Sequence, residues 1–200
     1  MLELFVAMAE SDCEQLRTGW LAQPANALSS VAFAVVGSWV LWRSRGAGAR
    51  RGFLVVGGLA MIGTSVGSVA YHGPQPVWAH VVHDASTLAL VALIAGATMW
   101  HVIRAATRPL ALNAWKAAAP WAVLAVAAYV AGRSGSPLCR PISIWQPHAA
   151  WHVLGALGLG TAAKLVSGRA GGRVEAPAAR VRPAPRDAPS GGSGVSRRWR

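Results

Sequence analysis

Five apolar runs, each about long enough to cross a bilayer, alternate along this chain with short segments rich in arginine. The hydrocarbon core of a bilayer is ~30 Å thick, so a helix needs about 20 apolar residues to span it. The runs fall near residues 26–43, 52–72, 77–103, 114–132 and 145–167. Charged residues make up 13% of the chain and hydrophobic ones 54%, whereas an ordinary soluble domain is about 25% charged. A soluble core of this size cannot hide so much apolar surface. The chain therefore reads as an all-α integral membrane bundle of about five transmembrane helices, with the membrane domain over residues 1–167. Gly57, Gly58, Gly63, Gly67, Gly155, Gly158 and Gly160 lie inside the runs, and small residues let membrane helices approach closely.

The net charge of +12 looks at first like a nucleic-acid signature, but its distribution argues against that reading. All but Arg17, Arg133 and Arg140 of the nineteen Lys and Arg residues fall in or beside the first and third connections or from Lys164 onward. Basic residues gather on the cytoplasmic side of membrane proteins, so the expected orientation is N-out, C-in. Tryptophans agree, with Trp20, Trp78, Trp145 and Trp151 near one face and Trp39, Trp42, Trp100 and Trp115 near the other. Residues 168–200 are rich in Gly, Pro, Arg and Ser without periodicity, which predicts a disordered basic cytoplasmic tail. The first ten residues carry Glu3 and no basic segment, unlike a secretory signal. The Ala-, Arg- and Gly-rich composition suggests a bacterial inner membrane.

In that topology His72 ends the second span, Asp84 opens the third, and His148 and His152 open the fifth, all toward the outer face. Ionisable residues inside a membrane are functional candidates by default, because hydrocarbon penalises them unless they pair or bind something. His148 and His152 share one helical face at i, i+4, and His72 from another helix completes three ligands. Three protein ligands and an open position describe catalytic Zn2+, with a water activated for attack at neutral pH. Two interfacial histidines bonded to water or headgroups are the plainer alternative. Asp84 shares a face with His80, His83 and Thr87. It suits a general base, a residue orienting a ligand histidine, or a structural bond between helices. Ser68, one turn before His72, suits an oxyanion donor or a hydroxyl satisfying a backbone carbonyl. His80 and His83 read as rim residues, His101 as interfacial, and Thr64 and Ser65 as packing. Cys13 and Cys139 lie on the same side, where an oxidising compartment permits a disulfide.

The order of these elements resembles the alkaline ceramidase family and its wider superfamily of seven-helix transmembrane zinc hydrolases. The resemblance rests on Asp12-Cys13-Glu14 before the first span, Asn26 with Ser29-Ser30 opening it, Gly67-Ser68 with Tyr71-His72 ending the second, Asp84, and Trp145-Gln146-Pro147-His148 with Trp151-His152. It implies zinc held by His72, His148 and His152, with Ser68 and Asp84 as catalytic residues beside the metal water. It also implies cleavage of the amide of a ceramide or another N-acyl lipid, and a Cys13–Cys139 disulfide. The family's calcium site is not expected here: Cys13 follows Asp12 directly, and Gln23 stands where a further glutamate belongs. Five spans instead of seven would narrow or open the lipid cleft.

The sequence thus predicts a membrane-embedded zinc amidohydrolase acting on a lipid. A haem-binding cytochrome would place single histidines on facing helices, which an i, i+4 pair with a third histidine fits less well. A receptor or structural bundle would use a closed, four-ligand metal site.

Overall fold

The computed structural model describes residues 11–103 and 108–167. The expected basic tail, the absence of a signal in the first ten residues and the side chains of Trp100 and His101 lie outside the described residues. Every described element is helical: α1 (Pro24–Ser29), α2 (Val31–Ser44), a 3-10 turn (Gly48–Arg50), α3 (Arg51–His72), α4 (Ala79–Ile103), α5 (Arg108–Ala131) and α6 (Pro147–Ser167). Five of the helical stretches are long and apolar enough to cross a membrane, α1 and α2 together forming the first.

The first span deviates at Ser30, where the Asn26 carbonyl receives the Ser30 N–H and the hydroxyls of Ser29 and Ser30. Side-chain hydroxyls of this kind compete with the helical ladder. The start of α1 is capped from a distance. The Glu14 carboxylate accepts from the N–H groups of Ala25 (2.8 Å) and Asn26 (2.9 Å). These are two of the donors a helix start leaves unpaired, and the negative charge suits the helix dipole there.

Helix α3 is the centre of the bundle. It packs on α2 and α4, while α6 packs on α5 and α2; α4 and α5 touch only sparsely. In α3 44% of the most apolar stretch is buried by protein, against 11% for α4 and α5, so the outer pair presents its apolar faces to lipid. Phe33, Val40, Leu54, Met61, Leu90 and Ala156 form the core. The α2–α3 crossing depends on missing side chains: a Cβ on Gly37 would meet the Gly58 carbonyl oxygen at 2.8 Å. Close approach of this kind is what replaces the hydrophobic effect between helices in lipid.

The two ends of the bundle differ in chemistry. At one end Arg43 donates to Ser167 and Arg50 to the Val166 carbonyl, closing the last turn of α6. At the other end His72, His148 and His152 meet. Trp20, Trp78 and Trp145 are exposed at the histidine end, Trp42 and Trp115 at the arginine end. Trp151 departs from the expected belt. It turns inward onto Phe33, Tyr129 and His148 and becomes a wall of the site.

Candidate metal centre

His72 ends α3, and His148 and His152 lie in the first two turns of α6. One ring nitrogen from each lies within 4.8 Å of the other two. The three side chains are 0%, 4% and 0% exposed. Helical spacing sets the α6 pair, whose rings stand 4.8 Å apart and nearly perpendicular. His72 approaches them at 5.1 and 5.4 Å between ring centroids.

Hydrogen-bond partners decide which nitrogen each ring presents. Gln23, wholly buried, donates through Nε2 to the Glu14 carbonyl at 2.9 Å, leaving Oε1 as an acceptor. His72 Nδ1 lies 2.6 Å from that oxygen, so Nδ1 carries the proton and Nε2 is bare. Ser29 and Ser30 each commit their only proton to the Asn26 carbonyl, at 3.0 and 2.7 Å. They therefore accept from His152 Nδ1, at 2.9 and 3.3 Å, and His152 Nε2 is bare in turn. His148 Nδ1 lies 3.3 Å from Asp12 Oδ1, at ion-pair distance but not aligned for a hydrogen bond. The Nε2 atoms of His72 and His148 are buried without a protein partner. A buried polar atom left this way costs about 1–3 kcal/mol. Bare imidazole nitrogens converging on one point are the donor set of a transition-metal ion, and the three residues fit one. Outer groups that fix the far ring nitrogen are a regular part of such sites.

Ser68 is 1% exposed and faces this cluster. Its Oγ lies 2.7 Å from Ser30 Oγ and 3.4 Å from His152 Nε2. Since the Ser30 proton is committed to Asn26, the Ser68 proton goes to Ser30 or to the centre. Asp84 stands at the rim, its side chain 46% exposed. One carboxylate oxygen lies 3.0 Å from His80 Nε2 and the other 2.8 Å from His83 Nδ1. His83 in turn stacks on Tyr71 at 4.9 Å and meets the edge of His72 at 6.1 Å. Among the described residues the candidate ligand group holds three histidines and no carboxylate.

Several positioning residues carry little signal in the sequence. Gln23 is the orienting partner of His72, Ser29 and Ser30 hold His152, and Asp12 stands beside His148. For all but Asp12 the hint was the set of polar residues, Gln23, Asn26, Ser29 and Ser30, that opens an apolar segment. Asp12 is 5% exposed, and burial pushes its carboxyl up to about 6, against the pull of Arg133 at 3.0 Å. The segment carrying it is pinned by a Cys13–Cys139 disulfide and by backbone bonds from Cys13 to Gly132 and from Gln15 to Pro141. Gly132 matters for the same junction, because a Cβ there would fall 2.5 Å from the His148 backbone nitrogen.

Inward from the histidines the helices line a half-open apolar cavity of about 410 Å³. Phe33 and Trp151 wall it beside His152, with ring centroids 6.1 and 4.9 Å from the imidazole. On α3 its lining runs from Thr64 to Phe53, about 16 Å of helix at ~1.5 Å per residue. That is about half of a bilayer's ~30 Å hydrocarbon core. Comparison with protein-family models, with curated proteins and with solved structures finds no match to this chain.

Proposed function

We propose that the protein is a membrane-embedded, zinc-dependent hydrolase that cleaves the amide bond of a lipid, in the manner of a ceramidase. The observation that carries this reading is the convergence of three buried histidines, beside an apolar cavity walled by Phe33 and Trp151, which also pack on His152. A zinc ion held by His72, His148 and His152 would supply Lewis acidity, polarising a carbonyl and bringing a water's pKa toward ~7.

The chain's own residues account for the rest. An acyl chain of the substrate occupies the cavity, reaching it laterally from the outer leaflet through the sparse α4–α5 side. Ser68 swings its proton from Ser30 toward the carbonyl oxygen as negative charge develops there. Asp84, held at both oxygens by His80 and His83, takes up the proton lost by the attacking water and delivers it to the leaving amine. Phe33 and Trp151 exclude water beside His152 and strengthen these electrostatic terms. Three protein ligands favour an open, catalytic centre over the closed four-ligand site of a structural metal.

The test is elemental mass spectrometry on detergent-purified wild type and the His148→Ala/His152→Ala protein, with hydrolysis of N-acyl lipids measured in parallel. About one zinc per chain, lost together with amide cleavage in the variant, supports the reading. Full cleavage by the metal-free variant sinks it.

A further inference from the structure

The cavity wall contains one polar atom that the chemistry above leaves unused. Two hydroxyls line the chamber, those of Thr64 on α3 and Thr87 on α4. Thr64 donates to the carbonyl four residues back, at 3.0 Å, as Thr161 does to Leu157. This is the usual way a membrane helix satisfies a threonine. Thr87 does not: its Oγ1 is buried and has no partner. The carbonyl one turn back, that of His83, already accepts the Ser86 hydroxyl at 3.1 Å. An unpaired hydroxyl against hydrocarbon is unfavourable, unless something that occupies the cavity pairs with it.

The level of this hydroxyl is set by helix contacts. A Cβ on Gly67 would meet the backbone of His83, and one on Gly63 would lie 3.7 Å from Ser86 Cβ. Thr87 therefore stands opposite the turn around Gly63 and Thr64, four to five residues inward from Ser68. At ~1.5 Å per residue that is about 6–7 Å below the level of Ser68 and the histidines.

We propose that Thr87 is a specificity residue of the chamber, bonding a hydroxyl carried on the lipid chain inward of the carbonyl held at the histidines. This rests on the reading of the cavity as a lipid chamber. The preferred substrates are amides hydroxylated close to the scissile bond, and chains without that hydroxyl leave Thr87 unpaired. A site built to pair a hydroxyl rejects its deoxy analogue far better than an apolar pocket rejects an extra methylene. The hydroxyl has two chemical sources, the acyl chain or the chain on the amine side, and only the chain lying in the cavity brings one to Thr87.

The test is equilibrium binding to the purified full-length protein, followed by quenching of tryptophan fluorescence, since Trp115 and Trp151 line the chamber. Three amides of equal chain length serve as probes: one hydroxylated at carbon 2 or 3 of the acyl chain, one hydroxylated on the amine-side chain, and one without either hydroxyl. One hydroxylated lipid should bind wild type and Thr87→Ser about tenfold tighter than the plain amide, and the advantage should vanish in Thr87→Val. Which lipid gains identifies the chain in the cavity. Thr87→Val should unfold at the same temperature as wild type or higher, because it removes an unpaired hydroxyl, so a binding change there is not misfolding. Equal binding of all three lipids, or a preference that survives Thr87→Val, overturns the assignment and leaves the lipid chamber standing. Failure of all three to bind overturns both the assignment and the chamber, and zinc content then judges the histidines alone.

Discussion

At the scale of single residues, the site depends on groups that never touch its centre. Gln23 is wholly buried with one end fixed by the Glu14 carbonyl and the other accepting from His72. Replacing it with leucine leaves the His72 N–H without an acceptor and removes the constraint on the ring. Zinc affinity of Gln23→Leu should fall about 10–100-fold, read by competition with a chromophoric chelator, while Gln23→Glu, which keeps an acceptor, should lose much less. An unchanged affinity in Gln23→Leu would show that the ring is held by packing alone. Asp84 gives a complementary prediction. Its carboxylate bridges His80 and His83 and is absent from the ligand group, so Asp84→Asn should keep its zinc and lose at least about 100-fold in turnover. Loss of the metal in Asp84→Asn would instead make it a ligand. The histidines were legible because i, i+4 spacing and a shared depth are written along the chain. Gln23 was not, because its meaning lies in a contact with a residue 49 positions away.

At the scale of elements, the apolar runs announced the helices within a few residues of their ends. Pro147 opens α6 where a run near 145 was expected, as suits a residue that supplies no N–H and tolerates the first turn. What periodicity could not announce is how closely the elements meet. Gly132, just past α5, lets the chain press against the first turn of α6, and any Cβ there collides with the His148 backbone. Gly132→Ala should therefore shift the start of α6 and lower both thermal stability and zinc occupancy, whereas Gly96→Ala, which meets nothing within 4 Å, should change neither. If the two variants behave alike, the α5–α6 junction does not govern the site. The capping of α1 by Glu14 is equally invisible in local sequence, since the acid sits eleven and twelve residues before the N–H groups it serves.

At the scale of the whole molecule, composition settled the class. So many apolar residues in so short a chain leave a helical membrane bundle, with Arg43 and Arg50 at one end and the three histidines at the other. The disulfide carries the last consequence. It joins residues 126 positions apart, and in water closing so long a loop would stabilise a fold by about 4–5 kcal/mol through chain entropy. Membrane helices remain inserted when their packing fails, so the unfolded chain is already confined and the gain here should be smaller. The local effect is larger. Cys13 lies between Asp12, beside His148, and Glu14, which caps α1 and anchors Gln23 behind His72. Cutting the bridge frees a segment that touches the supports of two candidate ligands on two helices. A Cys13→Ser/Cys139→Ser protein should thus show a modest fall in unfolding temperature but a clear loss of zinc in chelator competition, about tenfold or more in affinity. The same loss should appear in wild type treated with reductant and return on reoxidation. Retention of full zinc affinity with the bridge cut would mean that the backbone bonds from Cys13 to Gly132 and from Gln15 to Pro141 hold the segment by themselves.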